Sequence, residues 1–429
     1  MAGLSKFTKN LSWVFFGNAI HAVFQFLLIV LAARILTVHD YGLINYATSL
    51  VSLFSAVCTL GFSGVITKKF AENEQKGGAY LWSTILTRIV ISFPVLIILQ
   101  VIGYYHSPAD TEFHKIMACQ SLSILFASGD LFIYWFRYKY KASIVAIVSL
   151  ASFGIMAVWR IIALFLLKNT MVYVFGTVFE TALLSIILCV IYLKMKQPRL
   201  YFSLDALKRM MAISYPFIFS AILSTVYGQT DKIMLESMVG TEAVAYYSVS
   251  LTLAGAISII PTALIEGFRP EIFTQKEKNI EVYRKRLRQL YCSVFWICVA
   301  YCTLITLIAR PLVMLLYGEK YMPAILSLSL IVWYTSFSYF GAINNIYMIA
   351  ESKTKWVLIT TLIGAALNVL LNALLIPLLD IRGAALASLV TQIFVNFILL
   401  AIIKPLRENF RIILSGICFN NILKNNRGG

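Results

Sequence analysis

Charge is scarce in this sequence of 429 residues. Only 13% of the residues are Asp, Glu, Lys or Arg, about half the usual share in soluble domains. Apolar residues make up 60% of the chain, and the mean hydropathy is +0.83. A water-soluble protein of this length needs a mostly polar surface, and too few polar residues are present to form one. The composition therefore excludes a soluble enzyme, a disordered tail and a fibrous repeat.

Catalytic signatures are also missing from the sequence. It contains no HExxH, no Walker loop, no GxSxG and no dinucleotide fingerprint, so we expect a protein that is not an enzyme. The seven cysteines fall mostly within apolar runs, where they are expected to act as small buried residues. We therefore expect no metal site and no cofactor. The first apolar run is too long for a cleavable signal peptide.

Long apolar runs are what the sequence has instead. A helix needs about 20 mainly apolar residues to cross the hydrocarbon core, and twelve such runs are present. They are continuous rather than alternating, which excludes a transmembrane barrel. The predicted spans are Ser12–Ala33, Gly42–Ile66, Tyr80–Ile102, Ile116–Phe136, Ser143–Leu167, Met171–Leu193, Ala212–Leu235, Ala243–Ile265, Leu290–Ile308, Ile325–Met348, Trp356–Leu378 and Gly383–Ile403.

Basic residues outnumber acidic residues by 36 to 19, which gives a formal net charge of +17. In a soluble protein this excess would indicate binding to nucleic acid. Here most Lys and Arg residues lie in every second connection between the apolar runs, as cytoplasmic connections do in membrane proteins. We therefore expect both termini in the cytoplasm and no nucleic-acid partner.

The predicted spans divide into two halves of six. Near the start of the second span of each half, four identical residues recur at a constant offset of 201: Val38, Tyr46, Ser49 and Leu50 match Val239, Tyr247, Ser250 and Leu251. Six spans per half keep both repeats in the same orientation, with the substrate path between them. The predicted organisation is an N-lobe at residues 1–193, a cytoplasmic linker at 194–210, a C-lobe at 211–404 and a cytoplasmic tail at 405–429.

Polar side chains recur at helical spacing within several predicted spans. Such groups are costly at membrane depth, so they face a cavity or one another. For these residues the alternative is that their side chains hold neighbouring helices together through hydrogen bonds. For His21 the alternative is a structural role. The predicted cavity-lining residues are Asn18, His21, Gln25, Asn368 and Asn372.

Ionisable residues within or near the spans are stronger candidates for cargo binding and ion coupling than the polar residues named above. We predict that four cations line a cavity and bind an anionic cargo, because Arg holds phosphate oxygens bidentately. Four acids are predicted to couple ions or to line the cavity, with Glu180 as a proton relay or in a fixed ion pair with Arg88 or Arg160. Arg34 and Glu266 lie near span ends, where they alternatively reach the interface. The cations are Arg34, Arg88, Arg160 and Lys232, and the acids are Asp130, Glu180, Asp231 and Glu266.

Three segments carry a family resemblance. They are LLYGEKYMPA (315–324), NVLLNALLIPLLDIRGAALASLVTQ (368–392) and LAARILTVHDYGLINYA (31–47). Together they resemble the polysaccharide transporter family of the multidrug/oligosaccharidyl-lipid/polysaccharide exporter (MOP) superfamily, which includes Wzx-type O-antigen flippases. The resemblance implies an all-α polytopic membrane protein with 12 transmembrane helices in two pseudo-symmetric six-helix lobes around a central cavity, as in MATE transporters.

The resemblance also implies a function. The expected cargo is an undecaprenyl-pyrophosphate-linked oligosaccharide, an O-antigen or related repeat unit, flipped from the cytoplasmic to the periplasmic leaflet of the bacterial inner membrane. Alternating access coupled to a proton or sodium ion is expected, as are partners: the lipid-linked oligosaccharide, the bilayer, a polysaccharide polymerase and chain-length proteins. By position, Arg34 matches the family's basic residue at the outer end of span one. Asp231 and Lys232 match its charged end of span seven.

Three other functions are weighed against this one. A drug/cation antiporter of the same superfamily shares the fold but prefers acidic cavity residues. The spans contain both cations and acids, so their charges do not distinguish an antiporter from a flippase. A membrane enzyme of the polysaccharide pathway usually carries a long periplasmic loop. The longest outer connection here, about 103–115, is too short for one. A peptidoglycan-precursor flippase generally has additional spans.

Overall fold

The structure is a computed structural model that describes residues 2–106, 110–195 and 197–417. Throughout these ranges the regular secondary structure is helical, which confirms the predicted all-α class. The chain divides into two compact units, Met1–Gln229 (unit 1) and Thr230–Gly429 (unit 2). The predicted linker at 194–210 precedes this division, which falls inside a helix.

Unit 1 contains the first eight helices and most of the ninth. Their bounds are α1 Ala2–Ile35, α2 Val38–Thr59, α3 Ile66–Glu72, α4 Gly77–His106, α5 Thr111–Ala127, α6 Leu131–Tyr138, α7 Ala142–Ile162, α8 Thr170–Lys194 and α9 Leu204–Met238. A 3₁₀ turn at Ser128–Asp130 separates α5 from α6, and a π-helical turn at Ala163–Leu167 extends α7.

Unit 2 contains the end of α9 and the remaining helices. Their bounds are α10 Thr241–Gly255, α11 Ile259–Lys278, α12 Ile280–Tyr317, α13 Ala324–Ala350, α14 Thr354–Leu379, α15 Ile381–Ile393, α16 Leu399–Ile402 and α17 Arg407–Ile417. A π-helical turn at Phe394–Ile398 joins α15 to α16.

The number of membrane spans agrees with the sequence prediction. Within the described residues, ten helical segments are long and apolar enough to cross a membrane. Two bent pairs, one within α9 and one formed by α10 and α11, raise the number to twelve if each pair is one span. The chain is therefore a multi-pass membrane protein.

Helix α12 begins ten residues earlier than the predicted span at Leu290. The Asn279 side chain caps it by accepting hydrogen bonds from the backbone N–H groups of Glu281 and Val282, which would otherwise have no helical partner. Charged residues fill the first turns, so an apolar-run criterion detects only the later part of the helix. A membrane span and the helix that contains it therefore differ in length.

The helices pair in the same order in both units. In unit 1, α5 packs against α2, α4 and α8, and α7 packs against α8. In unit 2, the helices at the same places in the order of spans repeat this pattern: α13 packs against α10, α12 and α15, and α14 packs against α15. The matched Tyr46 and Tyr247 are both buried. This correspondence supports the duplication that the sequence repeat indicates.

The tight turn between α14 and α15 depends on Gly383. A Cβ added there would lie 2.2 Å from the Leu375 carbonyl oxygen, closer than non-bonded atoms approach. We expect Gly383→Ala to reduce folded protein in the membrane sharply, as measured by fluorescence size-exclusion of a tagged chain. Gly154→Ala is the matched control, because a Cβ at Gly154 meets nothing within 4 Å. Equal yields of the two variants would contradict this reading.

The segment at 197–203 is attached to unit 1 by hydrogen bonds. Trp135 Nε1 donates to Gln197 Oε1 at 3.0 Å, and the Tyr192 hydroxyl donates to the Pro198 carbonyl at 2.7 Å. The Ser203 backbone N–H donates to Ser83 Oγ at 2.8 Å. Gly78 allows close contact, since a Cβ there would lie 2.2 Å from the Arg199 carbonyl oxygen. This part of the predicted linker is therefore a fixed element of unit 1.

Candidate functional sites

Arg88, on α4, is buried, and three of its nitrogen atoms donate hydrogen bonds to two oxygen atoms. Its Nη1 donates to Asp130 Oδ1 at 2.6 Å, while its Nε and Nη2 donate to the Thr59 carbonyl oxygen at 3.1 and 2.9 Å. Thr59 is the last residue of α2, where carbonyl groups lack helical partners. Arg88 therefore joins α4 to the end of α2 and to the 3₁₀ turn after α5. These contacts favour a structural role over the predicted contact with cargo.

The geometry around Arg88 gives a test of that role. We expect Arg88→Lys to destabilise the protein by about 1–3 kcal/mol, because an ammonium lacks the planar fork needed to reach both oxygens at once. Thermal unfolding of the purified protein measures the loss. Arg209→Lys is the control, since Arg209 is exposed on α9. The same melting temperature in both variants would show that the contacts of Arg88 add no stability.

Arg160 and Glu180, like Arg88 and Asp130, form an ion pair between a buried arginine and a predicted acid in unit 1. Arg160, near the end of α7, is 1% exposed, and its Nη2 donates to Glu180 Oε2 on α8. The other carboxylate oxygen, Oε1, lies 3.4 Å from His21 Nε2 on α1. The close approach of α8 depends on Gly176, where a Cβ would lie 2.6 Å from Arg160 Cγ. One carboxylate thus joins three helices in the fixed ion pair that the sequence left as an alternative.

A cavity of about 340 Å³ lies beside this pair within unit 1. Residues from α1, α6, α7 and α8 line it. Three of them are predicted site residues: Asn18, His21 and Glu180. The other polar lining residues are Arg137, Ser149 and Ser152. The structure therefore brings three of the predicted site residues together around one cavity.

A buried carboxylate organises the candidate site of unit 2. Asp231 Oδ1 accepts from Asn372 Nδ2 at 2.7 Å, and Asp231 Oδ2 accepts from the Ser388 hydroxyl at 2.6 Å and from the Tyr247 hydroxyl. Asn372 Nδ2 also donates to Asn368 Oδ1 at 3.1 Å, and Asn368 Nδ2 donates to Ser388 Oγ at 3.0 Å. We call these five residues the Asp231 cluster. It joins α9, α10, α14 and α15.

The four predicted acids have different surroundings. Asp130 and Glu180 are paired with buried arginines. Glu266 is exposed and pairs with Arg269 on the same helix at 2.7 Å. Among the described residues, no Lys, Arg or His lies within ion-pair distance of the Asp231 carboxylate, whose partners are neutral hydroxyl and amide groups. Asp231 is therefore the predicted acid whose carboxylate, within the described residues, has only neutral hydrogen-bond partners.

The other predicted residues lie outside these groups. Arg34 is exposed in the last turn of α1. Lys232 is partly buried next to Asp231, and in the described part of the chain its ammonium makes no hydrogen bond or ion pair. Gln25 lies one turn after His21, and its buried Oε1 has no hydrogen-bond partner among the described residues.

Five residues of these groups are not among the predicted site residues: Arg137, Ser149 and Ser152 at the cavity, and Tyr247 and Ser388 in the Asp231 cluster. Tyr247 belongs to the sequence repeat, and its position in a duplicated pattern is a usable signal. Ser388 lies in the GAALAS segment that carries the family resemblance. Arg137, Ser149 and Ser152 lie at helical spacing with other polar residues of the fourth and fifth predicted spans, and spacing alone does not show which of them face a cavity.

The fold defines the class of protein. A multidrug resistance MATE family transporter of the MOP superfamily, in an inward-facing conformation, has 14% sequence identity and a TM-score of 0.69, covering 93% of this chain and 96% of that chain. The lipid II flippase MurJ, in an inward closed conformation, has 15% identity and a TM-score of 0.71, covering 94% of this chain and 90% of that chain. At these identities the similarity establishes the fold alone, and that fold is MATE-like as predicted.

Sequence comparison then gives the family. The model of the polysaccharide biosynthesis protein family matches residues 7–266, more than half of the chain, and the chain belongs to that family. It is also similar to the capsular polysaccharide biosynthesis protein CapF of Staphylococcus aureus, with 23% identity over 403 residues, covering 90% of this chain and 96% of CapF. These matches confirm the family resemblance derived from the three sequence segments.

Proposed function

We propose that this protein flips a polyprenyl-pyrophosphate-linked oligosaccharide, the repeat unit of an O-antigen, capsule or related surface polysaccharide, from the cytoplasmic to the outer leaflet by alternating access. The observation that carries the proposal is a cavity of unit 1, lined in part by polar and ionisable side chains, within helices long enough to span the membrane. Membership of the polysaccharide biosynthesis family supports this class of cargo.

The chemistry of the cargo explains why such a cavity is needed. A glycan and a pyrophosphate do not cross hydrocarbon unaided, because burying unpaired polar and charged groups costs many kcal/mol. Polar side chains at membrane depth lower that barrier, while the polyprenyl tail stays in lipid. In this proposal both termini are cytoplasmic, no step is catalysed, and the polymerase and chain-length proteins of the pathway receive the flipped unit.

The Asp231 cluster is the proposed coupling site for a proton or a sodium ion. Asp231 is 6% exposed and its hydrogen-bond partners are neutral, so binding a cation would reduce the cost of a buried charge. Asn372 Oδ1 is buried without a hydrogen-bond partner among the described residues. Carboxylate, amide and hydroxyl oxygens are the ligands that hard cations prefer. A cation bound here would link α9 and α10 to α14 and α15.

Proteoliposomes test the function directly. Purified protein is reconstituted with a fluorescent short-chain polyprenyl-pyrophosphate oligosaccharide, and outward exposure is followed with a lectin under imposed sodium or proton gradients. We expect gradient-dependent exposure of the glycan. A cationic dye that moves while the glycolipid does not would overturn the proposal in favour of the drug/cation antiporter. Covalent modification of the glycolipid would instead indicate an enzyme.

A further inference from the structure

The π-helical turn at Phe394–Ile398 interrupts the last predicted span and has a buried asparagine at its centre. Asn396 Nδ2 donates to Gln392 Oε1 at 2.7 Å and to the Phe337 carbonyl oxygen at 3.1 Å. Asn396 Oδ1 accepts from Asn344 Nδ2 at 3.3 Å. Buried polar side chains need such partners, and the other residues of the turn are apolar. The asparagine therefore connects the turn to α15 on one side and to α13 on the other.

These contacts favour the π form of the turn. A π turn contains one residue more than an α-helical turn, so its conversion to the α form shifts the register and rotates the flanking helices relative to each other by about 100°. Asn396 would then no longer face the same side of α13. Gly341 allows the close approach of the present form, because a Cβ there would lie 2.9 Å from Asn396 Oδ1. Asn396 thus stabilises a form that an apolar side chain would not.

The helices beyond the turn are held by other parts of unit 2. Arg407, the first residue of α17, donates to the carbonyl oxygens of Ala401 and Ile402 at the end of α16, where helical partners are lacking. Asn409 is fully buried, and its Nδ2 donates to Asn344 Oδ1 at 2.9 Å. Asn344 therefore binds α17 with one atom and the π turn with another. Because α16 and α17 are fixed in this way, a rotation of α15 is accommodated at the turn.

The other end of α15 carries part of the Asp231 cluster. Ser388 donates to Asp231 Oδ2 at 2.6 Å, and Gln392 lies one helical turn later, followed by Asn396 after four more residues. All three of these side chains are buried, so a row of polar groups leads from the cluster to the turn. A hydrogen bond to a charged acceptor is stronger than one to a neutral acceptor. Neutralising Asp231 therefore weakens the hold of the cluster on α15.

We propose that Asn396 is a positioning residue for the Asp231 cluster. It holds the π turn at which α15 rotates when a cation neutralises Asp231, while α16 and α17 keep their places. The proposal rests on the proposed function, in which Asp231 binds the coupling ion. The turn converts a change of charge at the cluster into a change in the direction of the last span.

Hydrogen–deuterium exchange of the purified full-length protein tests this link without transport. Asp231→Asn represents the neutralised cluster. We expect it to accelerate amide exchange at 394–402 at least about fivefold, the lower end of coupling between sites, and to leave α17 unchanged. In Asn396→Leu the π form is already lost, so adding Asp231→Asn should cause no further acceleration. Such non-additivity is the mark of two coupled sites.

Two comparisons separate coupling from general loosening. The π turn at Ala163–Leu167 in unit 1 is an internal control that should not respond to Asp231→Asn. Gly341→Ala displaces the Asn396 side chain without removing it, so it replaces Asn396→Leu in the comparison if that variant does not fold. Gly267→Ala is its matched control, because a Cβ at Gly267 meets nothing within 4 Å.

Unchanged exchange at 394–402 in Asp231→Asn would overturn the inference. Equal acceleration of both π turns would overturn it too, as would additive effects of Asp231→Asn and Asn396→Leu. In proteoliposomes, Asn396→Leu should shift the sodium or proton concentration that gives half-maximal flipping while the maximal rate is retained. Coupled exchange without any flipping of glycolipid would overturn the proposed function alone. Ion-dependent flipping without coupled exchange would overturn this inference alone.

Discussion

Glu180→Gln is expected to destabilise the protein by about 3–5 kcal/mol, the usual loss when one partner of a buried ion pair is removed. Its partner Arg160 has a side chain that is only 1% exposed, whereas the Glu180 side chain is 22% exposed and lines the cavity. The glutamine variant leaves a buried guanidinium without a counter-charge. Arg160→Met leaves a carboxylate that reaches the cavity, so its effect should be smaller. Thermal unfolding of the purified variants measures both.

The double variant Arg160→Met/Glu180→Gln distinguishes the effect of an uncompensated buried charge from the effect of losing side-chain contacts. Because replacing both members of a buried pair is often close to neutral, we expect it to recover most of the stability that Glu180→Gln loses. Glu266→Gln is the control, since that acid pairs with Arg269 on an exposed surface. If Glu180→Gln melts with the parent protein and loses only the pH dependence of transport, Glu180 is the proton relay and the ion pair adds little stability.

Asp231→Asn is expected to have the largest effect on transport. Asparagine has the same size and still accepts the hydrogen bond that Asn372 donates, so folded protein should accumulate near the parent level. It has no negative charge with which to bind a cation. We expect the response of flipping to an imposed sodium or proton gradient to fall at least about tenfold, which lies within the range of about 5- to 150-fold for coupling between sites.

Tyr247→Phe gives a graded version of the same experiment. It removes one of the donors to the Asp231 carboxylate while retaining the charge. The ion concentration that gives half-maximal flipping should therefore shift, while the maximal rate is retained. Glu266→Gln again serves as the control acid. If Asp231→Asn flips glycolipid with the ion dependence of the parent, coupling does not pass through unit 2.

The sequence predicts the fold well, because membrane spans depend on composition over many residues. Apolar runs identify the spans, and the positions of Lys and Arg give an orientation that stays a prediction. The ends of helices are harder to predict from the sequence. The beginning of α12 at Ile280 depends on a cap by Asn279 and on charged turns, and neither contributes to an apolar run.

The residue types of the candidate sites can be predicted from the sequence, whereas their partners, apart from the Arg160–Glu180 alternative, cannot. Helical spacing places Asn368 and Asn372 on one face, yet it does not show that Asp231, 141 residues away from Asn372, accepts a hydrogen bond from Asn372. Likewise, the pairing of Glu180 with His21 spans 159 residues. Contacts of this kind depend on how helices pack, which one sequence without related sequences does not contain.

The attachment of residues 197–203 limits how the protein can be rearranged. The segment at 197–203, which follows the sixth predicted span, is hydrogen-bonded to α4, α6 and α8 of unit 1. A circular permutant that places unit 2 first would have to keep this segment at the end of unit 1 to fill the space over Gly78. The packing of unit 1 therefore includes a segment that lies beyond its sixth predicted span, so a first half cut at residue 193 would lack part of its own contacts.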